Sequence, residues 1–160
     1  MNILRHTTAL FGLTLALLPW SHAAQAADRT AELAALHAAD DAWVAAYNVG
    51  QVEPIVRLYD RHAVVFPPGL RPVRGSAAIR AYLTKDDAAF VRSGLVYRLV
   101  GPRDGGISGK LGWVSGNYLV KDKTGRIVDR AWYFSVSRLE GGRWLYVRDT
   151  WNSDPAGTAH

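Results

Sequence analysis

The chain has 160 residues, 49% of them hydrophobic, which is enough for one domain with its own core. It has no cysteine, which excludes disulfides, a cysteine nucleophile and a lipid-modified N-terminal cysteine. The formal charge is +5, but the basic residues are scattered from Arg57 through Arg74 and Arg98 to Lys123 and are not interleaved with aromatics, so no nucleic-acid surface is expected.

Residues 1–26 read as a cleavable secretory signal peptide. Arg5 and His6 precede the apolar run "ALFGLTLALLPW", and "SHAAQA" ends in the small-residue pattern Ala24-Gln25-Ala26. The run is too short to span a bilayer, so no membrane partner is expected. The expectation is a periplasmic or secreted protein, with one domain over 27–154 and a flexible tail at 155–160.

Residues 28–49 predict a helix. Leu33, Leu36, Asp40, Trp43, Val44 and Tyr47 recur at three- and four-residue steps, and Gly50 stops it. A short second helix is predicted over Glu53–Tyr59, then a strand at "HAVVF", 62–66. "PPGLRPVRG" predicts an irregular loop. A third helix follows over 76–94, with Ser76 as N-cap, Ile79, Tyr82, Leu83, Phe90 and Val91 as its buried stripe, and Gly94 at its end. The remainder reads as strands: "LVYRLVG", "KLGWVSGNYLV", "IVDRAWYFSVSRL" and "WLYVRDTWN", joined by glycine-bearing turns, with "GPRDGG" as one of the turns. Helices followed by consecutive strands give an α+β order. Both faces of these strands are rich in apolar groups. One face should therefore pack on the helices, and the other should be covered, most simply by a second copy of the sheet. Trp132, Phe134 and Val136 are assigned to the outer face, which predicts a homodimer through the sheet.

The stretch "WVAAYNVGQVEPIVRLYDRHAVVFPPGLRPVRGSAAIRAYL", 43–83, resembles the first half of a ketosteroid-isomerase-like domain, also called nuclear transport factor 2-like or SnoaL-like. "SGKLGWVSGNYLV" and "GGRWLYVRDTWNSDP" resemble later strands of one branch, domain of unknown function 4440. The resemblance covers nearly the whole of residues 27–154. It implies a cone-shaped fold: three N-terminal helices on a curved, mainly antiparallel sheet that encloses a pocket. The chemistry of ketosteroid isomerases is not implied with it. Their base aligns with Pro67, their helix-one tyrosine with Trp43 and their second acid near Ser135.

One acid stands out. In "RWLYVRDTWNSD" the alternation places Asp149 on the same face as Leu145, Val147 and Trp151. An acid on a pocket-facing strand is a general acid/base or a polar anchor, and Tyr47 and His62 are its candidate catalytic partners. Trp43, Tyr59, Phe66, Tyr82, Phe90, Tyr97, Trp113, Tyr133, Val147 and Trp151 are the candidate ligand-binding residues. His37 and Asp41, spaced i, i+4, read as a surface pair. No two histidines and a carboxylate have metal spacing, and no phosphate-cradling glycine motif is present, so neither a metal nor a cofactor is expected. The leading expectation is an exported domain that binds a small, mostly apolar ligand. A small lyase, isomerase or hydrolase using Asp149 is the alternative, and a dimerisation module with a vestigial pocket is the third reading.

Overall fold

The computed structural model describes residues 20–154, with side chains from residue 26. Residues 1–19 of the predicted signal peptide and the predicted tail at 155–160 lie outside them. The chain runs α1 (Trp20–Tyr47), α2 (Val52–Val56), β1 (Tyr59–Phe66), β2 (Val73–Arg74) and α3 (Gly75–Arg92). Four long strands follow: β3 (Val96–Ser108), β4 (Leu111–Lys121), β5 (Ile127–Glu140) and β6 (Arg143–Ser153). The sheet order is β2-β1-β6-β5-β4-β3. β3 to β6 form an antiparallel meander. β1 enters beside β6 in parallel, which makes the six-stranded sheet mixed. This is the α+β architecture that the sequence implies. The long pairings β3–β4, β4–β5 and β5–β6 each contain a register shift, as does β1–β6. Such bulges bend and twist strands, so the sheet curls around the helices.

The helices fill the concave side. One buried cluster joins Tyr47, Ile55, Val56, Ala63, Ile79 and Leu83, where α1, α2 and α3 meet β1. A second joins Leu36 of α1 to Val114, Tyr118, Ala131 and Trp144 of the meander. At Gly112 the helix comes so close that an added Cβ would lie 2.6 Å from Leu36 Cδ1. The edge strand β3 is tied down by Asn48, just past the end of α1. Its Nδ2 donates to Tyr97 O at 2.9 Å, and Tyr97 N–H donates to its Oδ1 at 2.8 Å. One side chain thus mimics a neighbouring strand where the ladder ends.

Several local expectations are corrected. α1 begins at Trp20, so residues 20–26 of the predicted signal peptide continue the helix. Tyr59 opens β1 rather than closing a helix, because it pairs opposite Tyr146 of β6. Val73–Arg74 is a short strand inside the loop read as irregular; it pairs with Val65 and Val64, and the prolines lie outside the paired residues. "GPRDGG" belongs to β3, with a bulge between Val100 and Asp104 and Gly101 in the left-handed region at φ +69°. Arg74, extended at the end of β2, is the residue before α3, and no side chain caps that helix. Val91 is exposed, and Asp87 is buried on α3 in its place.

Candidate functional site

Between the helices and the concave face lies a cavity of about 220 Å³. α1 contributes Asp40, Trp43, Val44 and Tyr47, and α3 contributes Tyr82, Leu83, Asp86 and Phe90. The meander contributes Tyr97, Leu99, Tyr118, Val120, Tyr133, Ser135, Tyr146, Asp149 and Trp151. Every tyrosine of the chain except Tyr59 therefore lines this one space. The helical contributions follow from periodicity. Tyr82, Asp86 and Phe90 are four residues apart and share one face of α3, as Asp40, Trp43 and Tyr47 do on α1.

Asp149 sits on the cavity wall. Tyr59, buried behind it on β1, donates its hydroxyl to Asp149 Oδ2 at 2.5 Å. Trp43 Nε1 in turn donates to the Tyr59 oxygen at 3.1 Å. The relay fixes the carboxylate from behind, and the Thr150 backbone N–H adds a second hydrogen bond to it. Burial pushes the Asp149 carboxyl up to about 6, against the Tyr59 hydrogen bond, and the neighbouring Asp40 adds to the rise. Its own burial, with the same carboxylate second, holds the Tyr59 hydroxyl well above its ordinary value, so Tyr59 is a hydrogen-bond donor and not an acid.

Two further acids face the same space. Asp40 accepts from Tyr146 at 2.6 Å on Oδ1 and from Tyr133 at 2.9 Å on Oδ2, with Arg103 4.0 Å away. Burial raises its carboxyl, and the two tyrosine hydroxyls oppose the rise. Asp86 accepts from Tyr47 at 2.7 Å. Tyr47 is thereby tied to an acid of α3 rather than to Asp149. The ring walls are interlocked: Trp43 stacks on Tyr47 at 4.7 Å, and Tyr97 stacks on Tyr118 at 4.2 Å.

The structure brings Asp149, Tyr47, Trp43, Tyr82, Phe90, Tyr97, Tyr133 and Trp151 to the cavity. Five predicted site residues are not there: Tyr59 stands behind Asp149 on β1, and four lie elsewhere. His62 is exposed on β1, and its backbone N–H donates to Asp60 Oδ1 at 2.7 Å. Phe66 and Trp113 are on the convex face of the sheet, where Trp113 stacks loosely on Phe134 at 6.2 Å. Val147 is the extra residue of a bulge. Ser137 pairs with Tyr146 and the adjacent Val136 pairs with Arg148, so the alternation slips by one at Val147. Before the slip, Trp144 and Tyr146 point inward in place of Leu145 and Val147; after it, Asp149 and Trp151 do. His37 and Asp41 do not pair with each other either: Arg103 holds Asp41 at 2.9 Å and donates to the His37 carbonyl.

Sequence reasoning missed Asp40, Asp86, Tyr118, Ser135 and Tyr146 as cavity residues. A signal for two of them was present. Asp40 lies within the apolar stripe of α1, and Asp86 stands one turn from both Tyr82 and Phe90. An acid on an apolar face was the same signal that singled out Asp149.

No protein-family model matches the sequence, and no curated protein matches it. Solved structures do. An NTF2-like protein with a cystatin-like fold from Novosphingobium aromaticivorans is 15% identical with a TM-score of 0.72, covering 92% of this chain and 95% of that one. A candidate dehydratase of the NTF2-like family from Streptomyces avermitilis is 14% identical with a TM-score of 0.67, covering 79% and 99%. A ketosteroid isomerase-like protein from Erwinia carotovora atroseptica is 19% identical with a TM-score of 0.58, covering 78% and 98%. At these identities the likeness is one of fold, and the fold of this chain is nuclear transport factor 2-like, or cystatin-like.

Proposed function

We propose that the chain binds one small, mainly apolar molecule in its interior cavity, with Asp149 as the polar anchor. The observation that carries this is the placement of Asp149: a carboxylate steadied from behind by Tyr59 and Trp43, on the wall of a space otherwise lined mainly by rings and aliphatic groups. Apolar pockets with a few placed polar groups are the usual form of small-molecule sites. The size bounds the ligand. A dry cavity of about 150 Å³ accepts benzene, and pockets for drug-sized ligands begin near ~300 Å³. At about 220 Å³ the space suits a one- or two-ring molecule and is too small for a four-ring steroid. A cavity of this size also argues against the reading of the pocket as filled and vestigial.

Trp43 and Trp151 line the cavity, so tryptophan fluorescence reports its occupancy. Native mass spectrometry of gently purified protein should show a co-purified small molecule. Asp149→Asn should keep the fold and lose that mass. Equal retention by the variant would remove Asp149 from the role.

A second reading is favoured by one fact. A carboxyl raised to about 6 exchanges its proton near neutral pH, where a general acid or base is most effective. In that reading Asp149 serves a small lyase, isomerase or hydrolase, and turnover should follow a single ionisation near pH 6. The similarity in fold to a candidate dehydratase and a ketosteroid isomerase-like protein agrees with such chemistry.

Two wider proposals accompany the site. The first is export: the N-terminal pattern supports cleavage after Ala26, which would remove residues 20–26 from α1 and leave Leu33 and Leu36, the residues that meet the sheet. N-terminal sequencing of extracytoplasmic material should start at Ala27. The second is a second copy of the chain on the convex face, supported by the exposed Trp113, Trp132 and Phe134.

A further inference from the structure

The cavity's lining narrows the charge of its ligand. Three carboxylates, those of Asp40, Asp86 and Asp149, face one space, and no lysine, arginine or histidine is among its lining residues. Arg103 lies 4.0 Å from Asp40 and is engaged more closely by Asp41 at 2.9 Å. An acid held in an apolar interior is costly unless donors or an opposite charge face it. Asp40 has two tyrosine hydroxyls. Among the described residues Asp86 has only that of Tyr47, and Asp149 has that of Tyr59 with the backbone N–H of Thr150. Asp86 and Asp149 also act on a common neighbour, Tyr82, whose hydroxyl both hold above its ordinary value after burial has raised it. Two incompletely neutralised carboxylates thus flank one ring.

The rest of the wall is electron-rich. Stacked and tilted rings of Trp43, Tyr47, Tyr97 and Tyr118 crowd the space at centroid separations of 4.2–6.1 Å. The face of such a ring attracts a cation within about 6 Å of its centroid, most strongly where water is excluded. Among the described residues no three acid or histidine side chains converge closely enough to hold a metal ion. Separated acids around an aromatic cage suit a large, diffuse cation rather than a compact one.

We propose that the cavity takes an organic cation, an ammonium group carried on a one- or two-ring apolar body, with the ammonium near Asp86 and Asp149 and the body against the rings. This rests on the reading of the cavity as a ligand site and supplies the class of ligand. The ionisable groups facing Asp149 are Asp40 from α1, Tyr59 from β1, Tyr82 from α3, Tyr97 from β3, Tyr118 from β4 and Tyr146 from its own strand. None of them is a cation, and although Arg103 comes within 4.0 Å of Asp40, neither Asp86 nor Asp149 has a salt-bridge partner among the described residues.

The test is a charge series of one shape at neutral pH, read by tryptophan fluorescence and calorimetry: 2-phenylethylamine, its N,N,N-trimethyl derivative, 2-phenylethanol and phenylacetate. The two cations should bind at least tenfold more tightly than the alcohol, and phenylacetate should not bind. Asp86→Asn and Asp149→Asn should each weaken the cations severalfold more than they weaken the alcohol. Tighter binding of the alcohol or of phenylacetate would overturn the cation while leaving a ligand cavity in place. Binding of none of the four would overturn both. Should either variant fail to fold, the charge series on the unaltered chain decides the matter alone.

Discussion

On the concave face of the sheet, each tyrosine meets an acid or another ring: Tyr133 and Tyr146 meet Asp40, and Tyr97 meets Tyr118. On the convex face, Trp113, Trp132 and Phe134 meet water, at 36%, 43% and 38% exposure. Both faces are aromatic, but only on the first are the ring side chains themselves held by hydrogen bonds of fixed direction. A buried hydroxyl or carboxylate must keep its partner, so the concave face tolerates little displacement. The exposed convex rings of Trp113, Trp132 and Phe134 carry no such constraint.

The largest expected effect comes from breaking the concave network at its centre. Asp40→Leu removes the acceptor of two buried tyrosine hydroxyls at once. The cost should be roughly 2–6 kcal/mol, at ~1–3 kcal/mol for each orphaned donor. Chemical denaturation checks it, and adding Tyr146→Phe to the variant should recover part of the loss by removing one of the orphans. Full retention of stability in Asp40→Leu would mean that the two hydroxyls find other partners.

Asp149 offers a smaller effect with a distinct pH signature. Its carboxyl, at about 6, lies above the ordinary 3.8, so the folded chain holds the proton more firmly than the unfolded one. Its contribution to stability is full below about pH 4 and is lost as pH rises through about 6. The loss is at most about 3 kcal/mol, from about two pKa units at ~1.4 kcal/mol each, and less where the cavity admits water. Asp149→Asn should remove this fall. The difference in stability between the two proteins, measured by urea denaturation from pH 4 to pH 8, should therefore change across that window in favour of the variant. A difference independent of pH would refute the raised value.

How much of this was legible in the sequence depends on the period of each element. The helix stripes of α1 and α3 were readable, because 3.6-residue periodicity survives over many turns. Asp149 is placed on the cavity side by alternation with Leu145, Val147 and Trp151, and that alternation holds only on the Trp151 side of the bulge. Leu145 and Val147 fell on the wrong side because one inserted residue reverses every later assignment. The bulge itself leaves no mark in "WLYVRD". "GPRDGG" failed for the opposite reason: its glycines suggest a turn, whereas in β3 they serve a bulge and a close approach. Phe66 and Trp113 were assigned inward on aromatic character, which does not say which face a strand residue takes.

Glycines separate the two faces at a third, smaller scale. A Cβ at Gly112 would meet Leu36 Cδ1 at 2.6 Å and Trp144 Cζ3 at 3.2 Å, both buried side chains. A Cβ at Gly106 would meet Trp113 Nε1 at 2.8 Å, but Trp113 is half-exposed and can turn away. Gly112→Ala should therefore cost about 1–3 kcal/mol by overpacking, and Gly106→Ala less than about 1 kcal/mol. Thermal melts of the pair give the comparison directly, and equal losses would show that the helix moves off the sheet as readily as an exposed ring turns.

The smallest effect on the folded chain, and the most informative about its surroundings, is on the convex face itself. Trp132 and Phe134 alternate on β5 and are flanked by Trp113 on β4, which makes one continuous apolar patch rather than scattered exposed residues. They lose little when shortened, because much of each ring is already in water, so Trp132→Ser with Phe134→Ser should change monomer stability by no more than about 1 kcal/mol. If a second copy covers the patch, the same pair of substitutions should convert a dimer to a monomer in sedimentation equilibrium. Stability would then depend on protein concentration before the change and not after it. A chain that is monomeric at high micromolar concentration before any substitution would leave the patch without its proposed partner. The concave site, which is built within one copy, would be unaffected by that result.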